Sequence, residues 1–218
     1  MSEFLSDARE FLPILFQGVQ LTVLITVASL AVSTVLGLFW AMLRVSGSRV
    51  LSGFSVVMVN ILRGIPIIVQ LFYIYFVMPE FGVSLTAVQA GIIGLGIAYS
   101  AYQAENFRAG IEAVDRGQVE AARTLGMSHL QTMRKIVLPQ AFRRMIPPFV
   151  NESVSLLKFS SLVSVLGVAD LTYQAQVLST TTFRPIEIFT FIAVVYFALC
   201  TALSFMANRL ERRLARSD

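Results

Sequence analysis

The sequence predicts an all-α integral membrane protein with five transmembrane helices, and three observations carry that expectation. Of its 218 residues, 56% are hydrophobic and 14% charged, with a mean hydropathy of +0.74; soluble domains carry about 25% charged residues. Five long apolar segments recur, each reaching the ~20 residues that a bilayer crossing needs. The basic residues gather in alternate polar intervals instead of spreading evenly.

Residues 3 to 16 place Phe4, Leu5, Ala8, Phe11, Leu12 and Leu15 on one helical face and Ser6, Asp7 and Glu10 opposite, the pattern of an amphipathic helix lying in the membrane interface. Acidic residues stand where a cleaved leader would carry basic ones, so no such leader is expected. Pro13 and Gly18 suggest a bend into the first span, Gln20 to Leu43. The others run from Val56 to Met78, Leu85 to Ala104, about Phe142 to Ala169, and Ile188 to Ala207. Within the third, Ala90, Gly94 and Ala98 recur every fourth residue beside Gly91 and Gly96, a small-residue surface suited to close helix contact within the bundle. Residues 1–218 read as a single membrane domain, with no internal repeat and no room for a separate soluble domain.

Orientation follows from charge. Arg44 and Arg49, the run from Arg108 to Arg144, and Arg209 to Arg216 fall on one side of this topology, against Arg9 and Arg184 on the other. Basic loops stay in the cytoplasm. The N-terminus is therefore expected outside, with the 105–140 interval and the C-terminus inside.

That interval contains EAARTLGMSHLQTMRKIVLP, residues 120–139. It predicts a short helix with Ala121, Ala122 and Leu125 on its apolar face, a turn at Gly126, and a second helix capped by Ser128 and stopped by Pro139. In order around it stand RGIP (63–66), AYQAENFRAG (101–110) and NESVSLLK (151–158). Together these blocks resemble, over nearly the whole chain, the permease subunits of ATP-binding-cassette (ABC) importers, in the polar amino acid branch that includes histidine, glutamine, arginine and glutamate systems. The resemblance implies that Glu120, Ala121, Ala122, Arg123, Gly126 and Met127 form an "EAA" coupling loop docking on a separate cytoplasmic ATP-binding subunit dimer. It also implies a second permease subunit, identical or paralogous, and a periplasmic or lipid-anchored substrate-binding protein, in a bacterial inner membrane.

Absences narrow the chemistry. The lysines are Lys135 and Lys158, and neither stands in a phosphate-binding Gly-Lys-Ser/Thr motif, so ATP-driven work needs a partner. The single histidine, His129, reads as a solvated loop residue, and Cys200 lies alone in an apolar run. No cofactor, metal or nucleic acid is expected, and the chain reads as a transport subunit with no catalytic residue.

Charges at membrane depth are the candidate binding residues, because they are costly there and normally face a cavity or a partner. Arg63 stands beside Gly64 and Pro66, and Glu152 follows Pro147 and Pro148, so each neighbours a helix break. Asn151, Glu152 and Ser155 share one helical face by spacing. Lys158, on another side, is placed toward a dimer partner or a phospholipid. Arg63 and Glu152 read either as a buried ion pair tying two spans or as groups for the carboxylate and ammonium of an amino acid, with Glu152 favouring a cationic one. Relatives of the branch often carry Asp after the Lys of this block, whereas here it is Phe159. Asp170, Arg184 and Glu187 read as solvated periplasmic charges. The competing transport reading is an ion-coupled secondary amino acid carrier.

In single-cysteine variants of intact cells, a membrane-impermeant thiol reagent is expected to label positions near Arg184 and to leave position 129 unlabelled. Labelling of position 129 from outside would reverse the orientation.

Overall fold

The computed structural model describes residues 2–215, and side chains from 11 to 207 together with 209. All regular structure among them is helical. Helix α1 (Ser2–Arg44) is followed by α2 (Arg49–Gly64) and α3 (Ile67–Phe72), which continues through a π-helical turn and a 3-10 turn to Phe81. Next come α4 (Ala87–Glu112), α5 (Arg116–Thr124) and α6 (His129–Thr132). A π-helical turn leads into α7 (Leu138–Phe159) and a 3-10 segment to Leu166, and α8 (Leu171–Thr182) and α9 (Pro185–Ala215) end the chain.

Helix α4 is the axis of the bundle. It lies along α1 and also meets α2, α3 and α7. Its small residues explain the approach. A Cβ on Gly96 would stand 2.5 Å from Val32 Cγ1, one on Gly94 2.6 Å from Leu71 Cδ2, and one on Gly91 2.9 Å from Val163 Cγ1. The small-residue surface thus serves contacts with three neighbours inside one bundle. Around it Ile25, Leu71, Leu95, Tyr99, Leu156 and Val163 form the largest buried apolar cluster.

Three described helical stretches are long and apolar enough to cross a membrane: Phe11–Arg44, His129–Leu166 and Pro185–Ala207. The pair Arg49–Gly64 and Ile67–Phe81, bent by 99°, would make a fourth. Helix α4 has the length, about 39 Å at 1.5 Å per residue, but carries Gln89, Gln103, Glu105 and Asn106. Gln89 is exposed in the capping box at the helix start, whereas the other three are buried or half-buried among neighbouring helices.

Several local expectations change. Helix α1 runs unbroken through Pro13 and Gly18. Pro13 lies about three turns inside the helix without ending it, and Gly18 serves packing: its added Cβ would meet Leu171 Cα at 2.8 Å. The apolar face expected at Phe4, Leu5 and Ala8 lies outside the described side chains. Pro139 does not end the second loop helix, because the π turn at Met133–Val137 leads directly into α7 with Pro139 in its first turn, where a missing N–H costs little. Pro147 and Pro148 likewise sit inside an uninterrupted α7.

The segment after the fourth span folds as α8, an element without a strong apolar period. Its N-cap is Asp170, expected to be solvated but 0% exposed. Asp170 Oδ1 accepts the Tyr173 N–H at 2.9 Å, and burial pushes its carboxyl up to about 6. The Leu171 N–H donates to Thr22 Oγ1 at 3.1 Å, so α8 is fastened to α1 where Gly18 admits it.

Gly18→Ala is expected to lower stability by about 1–3 kcal/mol through overpacking against backbone that cannot yield. Gly53→Ala, with nothing within 4 Å of the added Cβ, should be neutral or stabilising by up to ~1 kcal/mol. Thermal unfolding of the purified protein compares them, and equal effects would show that the α1–α8 approach is not tight.

Candidate functional site

Two regions carry the candidate residues, the break between α2 and α3 with the helices facing it, and the α5–α6 loop.

Pro66 has no N–H, so the helical ladder fails, and Ile65, preceding it, is extended at φ −97°, ψ 130°. The chain turns by 99° there. Arg63, on the last turn of α2, is exposed on the protomer, and its guanidinium lies 5.4 Å from the ring centroid of Tyr102 on α4, within cation–π range. Tyr102 stands 5.7 Å from the buried Tyr99, which stands 6.2 Å from Phe159 on α7. Glu152, half-buried on α7, lies within electrostatic reach of both Tyr99 and Arg63. Among the described residues Arg63 and Glu152 make no ion pair within 4 Å. The tie between two spans that their charges suggested is absent, and Arg63 instead stands over Tyr102, the first of a row of rings that continues to Tyr99 and Phe159.

Asn151 is exposed and Ser155 half-buried on the same helix, with Lys158 and Phe159 exposed one turn on. Arg63, Asn151, Lys158 and Phe159 thus open to the outside of a single protomer. Tyr99 and Tyr102 were not singled out from the sequence, although the AYQAENF block holds Tyr102. Aromatic residues are too common in apolar helices for their type alone to mark a site.

In the loop that follows α4, Asp115 caps α5 by accepting the Gly117 N–H at 2.6 Å. The helix ends at Gly126, φ +76°. The Gly126 N–H donates to Arg123 O at 2.9 Å and the Met127 N–H to Ala122 O at 3.1 Å, the paired bonds of a Schellman turn, whose left-handed position glycine adopts without steric cost. Ser128 and Gln131 then form a reciprocal capping box for α6. The six residues divide accordingly: Ala122 is buried and Met127 half-buried, holding the turn, whereas Glu120, Ala121, Arg123 and Gly126 face outward. Leu125 and Leu130, 83% and 76% exposed, flank the turn. Leu125 is therefore not part of a face packed on its own chain, and Leu130 went unnoticed because a lone leucine carries no signal. His129 is exposed at the rim of a groove of about 380 Å³ between α4, α5 and α6, floored by Val114, Val119, Met133 and Val137.

The loop is joined to the rest of the bundle by polar contacts that local spacing does not reveal. The Gln140 amide on α7 donates to Gln118 on α5. At the end of α4, Glu105 accepts from Arg44 of α1 at 2.8 Å and from Arg108 Nη2 at 2.7 Å, and Arg108 continues to Glu112.

With this geometry in hand, comparison with known proteins is decisive. Residues 33–216 match the family described as binding-protein-dependent transport system inner membrane component. The chain belongs to that family. The permease is 36% identical to the probable amino-acid ABC transporter permease YckA of Bacillus subtilis (strain 168), over 95% of this chain and 92% of that protein. It is 40% identical to the probable glutamine ABC transporter permease GlnM of the same organism, over 90% and 91%, and 36% identical to the glutamine transport system permease GlnP of Escherichia coli (strain K12), over 93% and 94%. A solved structure described as an amino acid ABC transporter with histidines superposes with a TM-score of 0.91 at 38% identity, covering 96% of this chain and 98% of that one. The MetNI methionine transporter, at 23% identity and a TM-score of 0.80 over 92% and 96%, shares the fold. The permease is a multi-pass transport component of the inner membrane with the type I importer fold, and it is not an enzyme.

Proposed function

We propose that this permease is the membrane half-pathway of an ATP-driven importer of polar amino acids, operating by alternating access. It crosses the membrane five times with the N-terminus outside, and it pairs with a second permease because one protomer leaves Arg63 and Asn151 open on its outer surface. The observation that carries the substrate reading is the arrangement of Arg63 and Glu152 across Tyr102, Tyr99 and Phe159: two opposite charges in electrostatic reach yet unpaired. An amino acid zwitterion supplies a partner for each. Its carboxylate meets Arg63; its ammonium, or a cationic side chain, meets Glu152, with Asn151 and Ser155 completing the polar face. The relatives named for glutamine and for amino acids support the substrate class, and Glu152 inclines the reading toward cationic members.

Coupling runs through α5. Glu120, Ala121, Arg123 and Gly126, with Leu125 and Leu130 as exposed apolar anchors, dock on a cytoplasmic ATP-binding subunit dimer, while a periplasmic or lipid-anchored binding protein delivers substrate outside. Helix α4 ends just before α5, and α5 is fastened to α7 through Gln118 and Gln140. Movement of the loop therefore reaches both helices that bear the site, and Glu105 extends it to α1. A secondary carrier would give the outward-facing Schellman turn no task.

Gly126→Val forces a β-branched residue into φ +76° and is expected to leave the permease inserted and assembled while abolishing uptake and substrate-stimulated ATP hydrolysis. Uptake at the wild-type rate by the assembled variant would remove the loop from coupling.

Arg63→Gln and Glu152→Gln are each expected to weaken amino acid binding by about 2–5 kcal/mol, as for truncated buried charge pairs, and the double variant should stay folded but inactive. Radiolabelled uptake into proteoliposomes across a panel of amino acids reads this out. Near wild-type affinity in the double variant would remove both residues from the site.

A further inference from the structure

The break that presents Arg63 takes the carbonyls of residues 62 to 65 out of the helical ladder, and two of them, Leu62 O and Ile65 O, face the buried Gln70. In an unbroken helix Leu62 O would receive the N–H of residue 66, which is Pro66 and has none. Ile65 O would receive the Val69 N–H, but that group donates to Pro66 O at 3.0 Å, as does the Gln70 N–H at 3.1 Å. An orphaned carbonyl at membrane depth is costly, because lipid offers it no donor. Both are met by one side chain. Gln70 Nε2 donates to Leu62 O at 2.7 Å and to Ile65 O at 2.8 Å.

Gln70 is 7% exposed, and its orientation is determined by chemistry, since the reversed amide would set its own oxygen against two carbonyl oxygens. In this orientation Oε1 is buried without a hydrogen-bond partner. The two bonds bracket Arg63: one fixes the peptide plane joining residues 62 and 63, the other the extended residue that starts the 99° turn.

We propose that Gln70 is a positioning residue for amino acid recognition, clamping the broken helix so that Arg63 is held over Tyr102 and toward the substrate carboxylate. The proposal rests on the reading of Arg63 as a substrate contact. Gln70 itself touches the backbone and acts through Arg63. Neither RGIP nor the helical period announces it; its position four residues after Pro66 is what lets it reach back.

The test separates the clamp from the substrate reading. In the complex with its ATP-binding subunit, Cys200→Ala with Arg63→Cys leaves one reporter thiol at the break, and a small cationic methanethiosulfonate reads its accessibility. Gln70→Met keeps the bulk and removes both donors; it is expected to change the labelling rate at position 63 by about tenfold, while a control thiol at Val83 is unaffected. Gln70→Glu, similar in shape, should shift the rate in the same direction and serves if the methionine variant fails to fold. With Arg63 restored, uptake of radiolabelled L-glutamine and L-arginine by Gln70→Met should show KM raised about tenfold for the amino acid carried, with kcat and basal ATP hydrolysis retained. A merely structural role would lower kcat and yield together. An unchanged labelling rate at position 63 in folded variants overturns the clamp. If labelling shifts but Arg63→Gln leaves KM at the wild-type value, the substrate reading of Arg63 fails while the clamp stands.

Discussion

Buried backbone polar groups must be satisfied within the protein, and this constraint shapes the departures from straight helix at Pro66, at Pro139 and at the start of α8. Lipid offers no hydrogen bonds, so a break survives only where something replaces the lost ladder. At Pro66 the replacement is the Gln70 amide. At Pro139 it is a π-helical turn that shifts the bonding register and lets the helix continue. At the start of α8 it is the Asp170 carboxylate and the Thr22 hydroxyl. Two of the three devices use a side chain distant from the break in sequence or a register change that no residue type demands.

The same constraint explains how α4 can carry Gln103, Glu105 and Asn106 and still sit at the centre. Its glycines bring α1, α3 and the segment after α7 close enough to exclude lipid. Trp40 Nε1 donates to Ser100 Oγ at 3.3 Å and Ser55 Oγ donates to Trp40 O at 2.8 Å, so polar atoms of α1, α2 and α4 satisfy one another. The helix that binds everything together then ends in the charge network of Glu105, Arg108 and Arg44 and passes directly into the coupling loop. Under the proposed coupling role of that loop, the bundle axis is a short mechanical path between it and the membrane helices.

The candidate site was partly legible in the sequence. Charge at membrane depth identified Arg63 and Glu152 because the cost of placing them there is large compared with that of any other side chain. Glycine and serine spacing identified the turn at Gly126 and the cap at Ser128, since φ +76° and a hydroxyl at an N-cap are local requirements. The row of Tyr99, Tyr102 and Phe159 was not legible, because it forms only where α4 and α7 lie side by side. Phe159, which departs from the acidic residue common in the branch, became part of that row.

The sequence by itself determined that the chain is helical, membrane-embedded and basic in alternate polar intervals, because hydropathy, helical period and charge placement are properties of short segments. It also determined where helices were disturbed, through Pro66 and Gly126. Tertiary structure decided how each disturbance was resolved: that α1 continues through Pro13, that Asp170 is buried as a cap, and that Arg63 and Glu152 stand apart. Those outcomes depend on which groups approach from other helices, and hydrogen bonds between residues distant in the chain leave no period or spacing to be read beforehand.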